Sequence, residues 1–113
     1  MKEFMLIFRL SEKPVAPPSP EQMQERMNWL AGIAAQNKLV DKGNRLSPAG
    51  ARTVKPGNVV SDGPFTEIKE FVTGYMVLKA ASIEDATEIA RANPILKMGG
   101  SVEIRAVLTP EEK

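Results

Sequence analysis

Histidine and cysteine are both absent from this chain of 113 residues, and it carries a single tryptophan and a single tyrosine. Without them, zinc sites of the usual kind, Ser-His-Asp and Cys-His nucleophile systems, thiol redox chemistry and disulfide frameworks are excluded. Any catalysis has to be run by Asp, Glu, Lys, Arg, Tyr, Ser or Thr. An excess of one charge is lacking too, since 15 Lys and Arg face 14 Asp and Glu for a net +1. That balance offers no electrostatic footprint for direct nucleic-acid binding or for an anionic membrane. No apolar run approaches the roughly 20 residues of a membrane helix, and Met1-Lys2-Glu3-Phe4 runs into strand-like sequence without the plan of a signal peptide. The expectation is one cytoplasmic domain, near the mode of domain sizes, with no metal or cofactor site indicated.

What is present is concentrated in Asp62-Gly63-Pro64-Phe65-Thr66-Glu67-Ile68-Lys69-Glu70. Gly63 can take backbone angles closed to other residues, and Pro64 fixes its own φ while pushing Gly63 out of the α region, so the chain turns sharply here. A turn aspartate usually accepts from the amide two residues ahead, but that position is Pro64, which has no N–H. Asp62 is therefore freer than most to reach the Phe65 N–H, an arginine or a ligand.

Around this turn the chain reads as strand, helix, strand or hairpin, strand, helix, strand. Phe4 to Leu10 and Phe71 to Leu78 are apolar on both faces, as expected of two neighbouring central strands, and Gly74 marks a bend or a close backbone approach. Ser19-Pro20-Glu21-Gln22 is a capping box with proline in the first position, opening a helix to about Asn37 or Lys38. Met23, Met27, Leu30 and Ala34 recur at helical spacing as its buried stripe. Trp29 and Ile33 fall on a flank, where Trp29 is either a rim residue half-covered by its own domain or part of an interface or pocket wall. Leu39 to Leu46 is a short strand or a turn and strand, Ala51 to Val54 and Asn58 to Ser61 flank Lys55-Pro56-Gly57 as a hairpin, and Ser82 caps a helix burying Ile83, Ala86, Ile89 and Ala90. Ser101 to Val107 alternates as a less buried strand.

This order matches an α+β fold, the split β-α-β arrangement of a ferredoxin-like sandwich with two helices on one sheet face. Two helices cover only one face, yet both central strands are apolar on the other as well. A partner is needed there, and a second copy of the chain is the simplest, giving a homodimer with its sheets packed face to face.

Asp62-Gly63-Pro64-Phe65-Thr66-Glu67 with Lys69-Glu70, then Gly74-Tyr75, Asn93-Pro94, Gly100 and Val102-Glu103-Ile104-Arg105, resembles the DGPF branch of the YCII-related proteins over nearly the whole chain. The resemblance implies a dimeric α+β barrel of two ferredoxin-like subunits, similar to muconolactone isomerases, with a cavity between sheet and helices. It does not imply one activity: a dehydrochlorinase is known among YCII-related proteins, while some DGPF members accompany or are fused to alternative sigma factors. Members proposed to be enzymes carry a His-Asp pair near the pocket. Here the histidine is missing, which takes a His-assisted mechanism out of reach, and Ala106 stands where the pattern usually has proline.

The residues leave two functions open. One is a small-molecule-binding protein, isomerase- or lyase-like, with Asp62 as acid, base or anchor and Glu70 as a second carboxylate. Arg105, Tyr75 and Phe65 then bind a small carboxylic or aromatic ligand, because the planar guanidinium suits a carboxylate and a buried Tyr75 hydroxyl needs a partner. The other is a non-catalytic interaction module, for instance an accessory to an alternative sigma factor. In the structural readings of the same residues, Asp62 holds the turn or pairs with Arg105, Arg105 pairs with Glu103, Glu70 or Asp62, Glu67 is solvated, and Tyr75 is core. The apolar Ile95-Leu96-Lys97-Met98 is either a pocket lid or cover for a dimer edge.

Overall fold

The computed structural model describes residues 1–10, 19–63 and 71–112. In chain order they form β1 (Lys2–Leu10), α1 (Pro20–Ala35), β2 (Leu39–Arg45), β3 (Arg52–Lys55), β4 (Val59–Asp62), β5 (Phe71–Ala80), α2 (Ile83–Ala90), a 3-10 helix (Pro94–Met98), β6 (Ser101–Ala106) and a final 3-10 turn (Pro110–Glu112). The main sheet runs β2-β5-β1-β6 with every neighbouring pair antiparallel, and β3-β4 is a separate two-stranded hairpin. The fold is α+β, with the two long apolar strands at the centre as the sequence predicts. Each helix joins two strands that have a third between them, which is the split β-α-β connection.

Helix α1 starts where the capping box places it. Ser19 is extended (φ −67, ψ 160), its Oγ accepts from the Gln22 N–H at 3.1 Å, and Gln22 Oε1 accepts from the Ser19 N–H at 2.9 Å. Two otherwise orphaned amides are thereby satisfied. The helix stops as Asn37 turns left-handed at φ 57.

The face that α1 buries differs from the expected stripe. Ile33 is its buried residue, Trp29 and Leu30 pack beside it, and Met23 and Met27 remain 57% and 61% exposed. The helix is rotated toward its largest apolar side chain, since burial free energy scales with area. The Trp29 indole N–H donates to the Ile89 carbonyl at 2.9 Å, and its ring meets Phe8 edge-on at 6.4 Å between centroids. Trp29 is thus half-covered by its own domain. In α2, Ala86 and Ala90 are buried and Ile89 packs on the core, whereas Ile83, expected to be buried, stays 44% exposed at the helix start.

The sheet is two-sided in burial. Phe4, Leu6, Phe8 and Leu10 of β1 lie buried with Met76, Leu78 and Ala80 of β5 beneath the helices. On the opposite face Met5, Ile7, Arg9, Tyr75, Val77 and Lys79 are half-buried, with Met5 opposite Val77 and Ile7 opposite Tyr75. The chain is thin, 43 × 43 × 19 Å, with a radius of gyration of 15.5 Å, against about 13 Å for a compact domain of about 100 residues.

Register shifts adjust a central strand pair and the β2 edge. Between Phe8 and Arg9 the β1-β5 register slips, leaving Thr73 unpaired with its Oγ1 donating to the Phe8 carbonyl at 3.3 Å. Along β2 the register slips between Leu39 and Asp41 and again between Asp41 and Asn44. There Gly43 has φ 69, and its N–H donates to Asp41 Oδ1 at 2.8 Å. Gly74 is the close approach expected of it, since a Cβ there would lie 3.0 Å from the Asn44 carbonyl oxygen.

Candidate functional site

Because α1 is pinned to the sheet near Trp29 and Ile33, its first turns stand away and leave a cavity of about 310 Å³. The cavity lies between the first half of α1, the 3-10 helix Pro94–Met98 and the adjoining ends of β1, β2 and β5. Phe8, Leu10 and Phe71 wall it from the sheet, Met23 and Met27 from α1, and Ile95 and Met98 from the 3-10 helix. Met23 and Met27 are thus exposed to a hollow rather than packed in the core. Within Ile95-Leu96-Lys97-Met98, Ile95 and Met98 line the cavity, and Leu96 and Met98 are 43% and 45% exposed.

Among the described residues, those of the lining with polar side chains are Gln22, Arg26, Asn44, Arg45, Thr73, Tyr75 and Asn93, none of them a carboxylate, and the strand register turns the Tyr75 side chain and its partner Asn44 toward the opposite sheet face. Asn93 is only 7% exposed. Its Oδ1 caps the 3-10 helix by accepting from the Ile95 N–H at 2.8 Å, which fixes which end of the amide is NH2. That NH2 has no hydrogen-bond partner among the described residues, and Asn93 lines the cavity. Arg26 and Arg45 are exposed at the lining, and neither forms an ion pair with a described acidic residue.

The residues predicted for the site are not gathered here. Asp62 ends β4, its side chain is 93% exposed, and it sits 3.3 Å from Arg52 Nε, the residue directly opposite it in the hairpin. It does not line the cavity. Gly63 supplies the sharp turn, at φ 88, and its N–H closes the hairpin base on the Ala51 carbonyl at 2.7 Å. Arg105 lies on the sheet face away from the helices and pairs with Glu103 at 3.1 Å, so among the alternatives weighed for it the Glu103 pair is made and the Asp62 pair is not. Tyr75 borders the cavity, and its hydroxyl accepts from Asn44 Nδ2 at 3.2 Å. Phe65, Glu67 and Glu70 lie outside the described residues.

The lining residues that sequence reasoning passed over are Arg26, Arg45 and Asn93. Arg26 had a signal, a cation next to Met27 and three residues after Met23 on one helix face. Asn93 was legible only as the end of a helix, because its capping role depends on the fold of Pro94–Met98.

The open sheet face has an ionic cluster of its own. Glu103 accepts from both Arg9 and Arg105, and these hydrogen bonds, that from Arg9 foremost, hold its carboxyl below the ordinary value of 4.5. A carboxyl lowered on folding contributes stability that is fully present above its unfolded value and is lost as pH falls through the folded one. Glu103→Gln is therefore expected to flatten the acid limb of stability. Urea midpoints taken at pH 6 and again near pH 3 should converge less steeply in the variant than in wild type, and equal slopes would remove Glu103 from the acid response.

Four antiparallel strands carrying two helices on one face, with a hollow at one end of that layer, define an α+β domain of split β-α-β topology. The chain belongs to the YCII-related domain family, whose model matches residues 4–110. It is similar to an uncharacterised protein of Rhizobium meliloti (strain 1021), 36% identical over 100 residues and covering 77% of each chain. No helix among the described residues is long and apolar enough to cross a membrane.

Proposed function

We propose that this chain is a small-molecule-binding protein of the DGPF branch, working as a homodimer that forms a dimeric α+β barrel. The observation that carries the reading is the cavity of about 310 Å³ with apolar walls and a few convergent donors, the usual make-up of a ligand site. Its position between sheet and helices is where the resemblance to barrel-forming relatives leads one to look. Asp62-Gly63-Pro64-Phe65 supports the DGPF branch. The dimer is supported by the half-buried Met5, Ile7, Tyr75 and Val77 on a face that carries no helix, and by the thinness of the lone subunit. Asp62 stands outside the hollow of a single subunit, so the binding function is assigned to the cavity donors and any isomerase- or lyase-like step is left to groups yet to be tested.

One observation favours an interaction module, such as a sigma-factor accessory, as the second reading. The β3-β4 hairpin exposes Val54, Val59 and Val60 at 70%, 53% and 58%, more apolar surface than a free arm normally carries.

A thermal-shift screen of small organic metabolites separates the two. A ligand held only by the folded state at 100 times its Kd adds about 2.7 kcal/mol of stability, and hits of that kind are expected. A library without hits, together with a protein partner that binds through the hairpin valines, would replace the first reading by the second.

A further inference from the structure

Resting on that reading of the cavity, we infer that the occupant is a small aromatic carboxylic acid, its ring against Phe8, Phe71 and Met27 and its carboxylate toward Arg26, Arg45 and Asn93 Nδ2. Three observations converge on this class. First, among the described residues the charged groups of the lining are of one sign, two guanidiniums and no carboxylate. A neutral ligand would leave that imbalance uncorrected, and a cation would oppose it. Second, Asn93 is 93% covered, its oxygen is engaged by the Ile95 N–H, and its NH2 has no hydrogen-bond partner among the described residues. Beside the cavity, that donor is available to an acceptor on a ligand in place of water. Third, the remaining wall offers aromatic rings and thioethers, surfaces that favour a ring over a sugar or a phosphate ester. The volume is near the lower end for ligand pockets, which suits a single ring with a short acidic arm. The carboxylate grip predicted for Arg105 thus passes to arginines on α1 and at the end of β2.

The test is calorimetric titration of the full chain with benzoate and phenylacetate and with their neutral counterparts benzamide and phenylacetamide. Wild type should bind an acid about 10-fold or more tightly than its amide, because charge-assisted hydrogen bonds exceed neutral ones by that order. In the Arg26→Gln, Arg45→Gln double variant the acid should weaken by about 10- to 100-fold while the amide is unchanged. Both arginines are exposed, so the fold should persist in that variant. Asn93→Asp, which keeps the oxygen that caps Ile95, should likewise lose the acid. Amides that bind as well as acids, or acid affinity that survives the double variant, would overturn the inference while leaving a small-molecule cavity in place. Should none of the four probes bind while the wider screen gives hits, the inference also falls and the cavity reading stands. Only a screen without hits removes both.

Discussion

Replacing Gly43 by alanine is expected to cost the domain about 3 kcal/mol or more, an unusually large effect for adding one methyl group. Two terms combine. Gly43 sits at φ 69, a left-handed conformation that costs an alanine about 1–2 kcal/mol. A Cβ there would also fall 1.6 Å from the Tyr75 carbonyl oxygen and 2.6 Å from its carbon, both backbone atoms of a central strand. Neither can move without opening the β2-β5 ladder, and each ladder hydrogen bond lost removes about 1 kcal/mol more. In a domain of this size the melting temperature should fall by more than about 10 °C. Gly50→Ala is the control, because it shares the backbone strain at φ 73 but meets nothing within 4 Å. Equal losses in the two variants would show that the β2 bulge is not held by the close approach.

Ile7→Glu is expected to convert the proposed homodimer to monomers without unfolding it. Ile7 lies opposite Tyr75 and Glu103 in the centre of the sheet face that carries no helix, and it is not part of the core beneath the helices. A two-fold interface contains every residue twice, so one substitution places two carboxylates in an apolar contact beside Glu103. Leaving such charges unpaired costs several kcal/mol each, enough to shift dissociation by three or more orders of magnitude. Sedimentation equilibrium at tens of micromolar should give wild type twice the 12.4 kDa subunit mass and the variant a single subunit with an unchanged circular dichroism spectrum. A wild type that sediments as one subunit would end the dimer proposal.

The elements were legible where local chemistry acts alone. The capping box from Ser19 to Gln22 and the two apolar strands follow from patterns within a few residues, and the structure contains them; of the bend or close approach marked by Gly74 it has the close approach, against Asn44. The rotation of α1 was not legible. Helical spacing alone ranks Met23 and Met27 with Leu30, and only the tertiary partners of Trp29, the Ile89 carbonyl and the Phe8 ring, decide which side of the helix faces the sheet. The candidate site suffered for the same reason. Asp62 drew attention through its missing amide partner, but the hairpin register sets Arg52 directly across from it and points both into solvent. Arg26, Arg45 and Asn93 come together only through the packing of elements far apart in sequence, which no spacing rule reports.

The central claim is that the hollow beside α1 takes a small organic molecule, and the chain's own methionines can report it. Of the six, Met23, Met27 and Met98 line the cavity, Met76 is buried in the core, Met5 is on the open sheet face, and Met1 is exposed. In a carbon-13 methyl-methionine spectrum titrated with a ligand returned by the thermal-shift screen, the resonances of Met23, Met27 and Met98 should shift together with one saturation curve while Met1, Met5 and Met76 hold still. Shifts centred on Met5, or none at any methionine at millimolar ligand, would contradict the account.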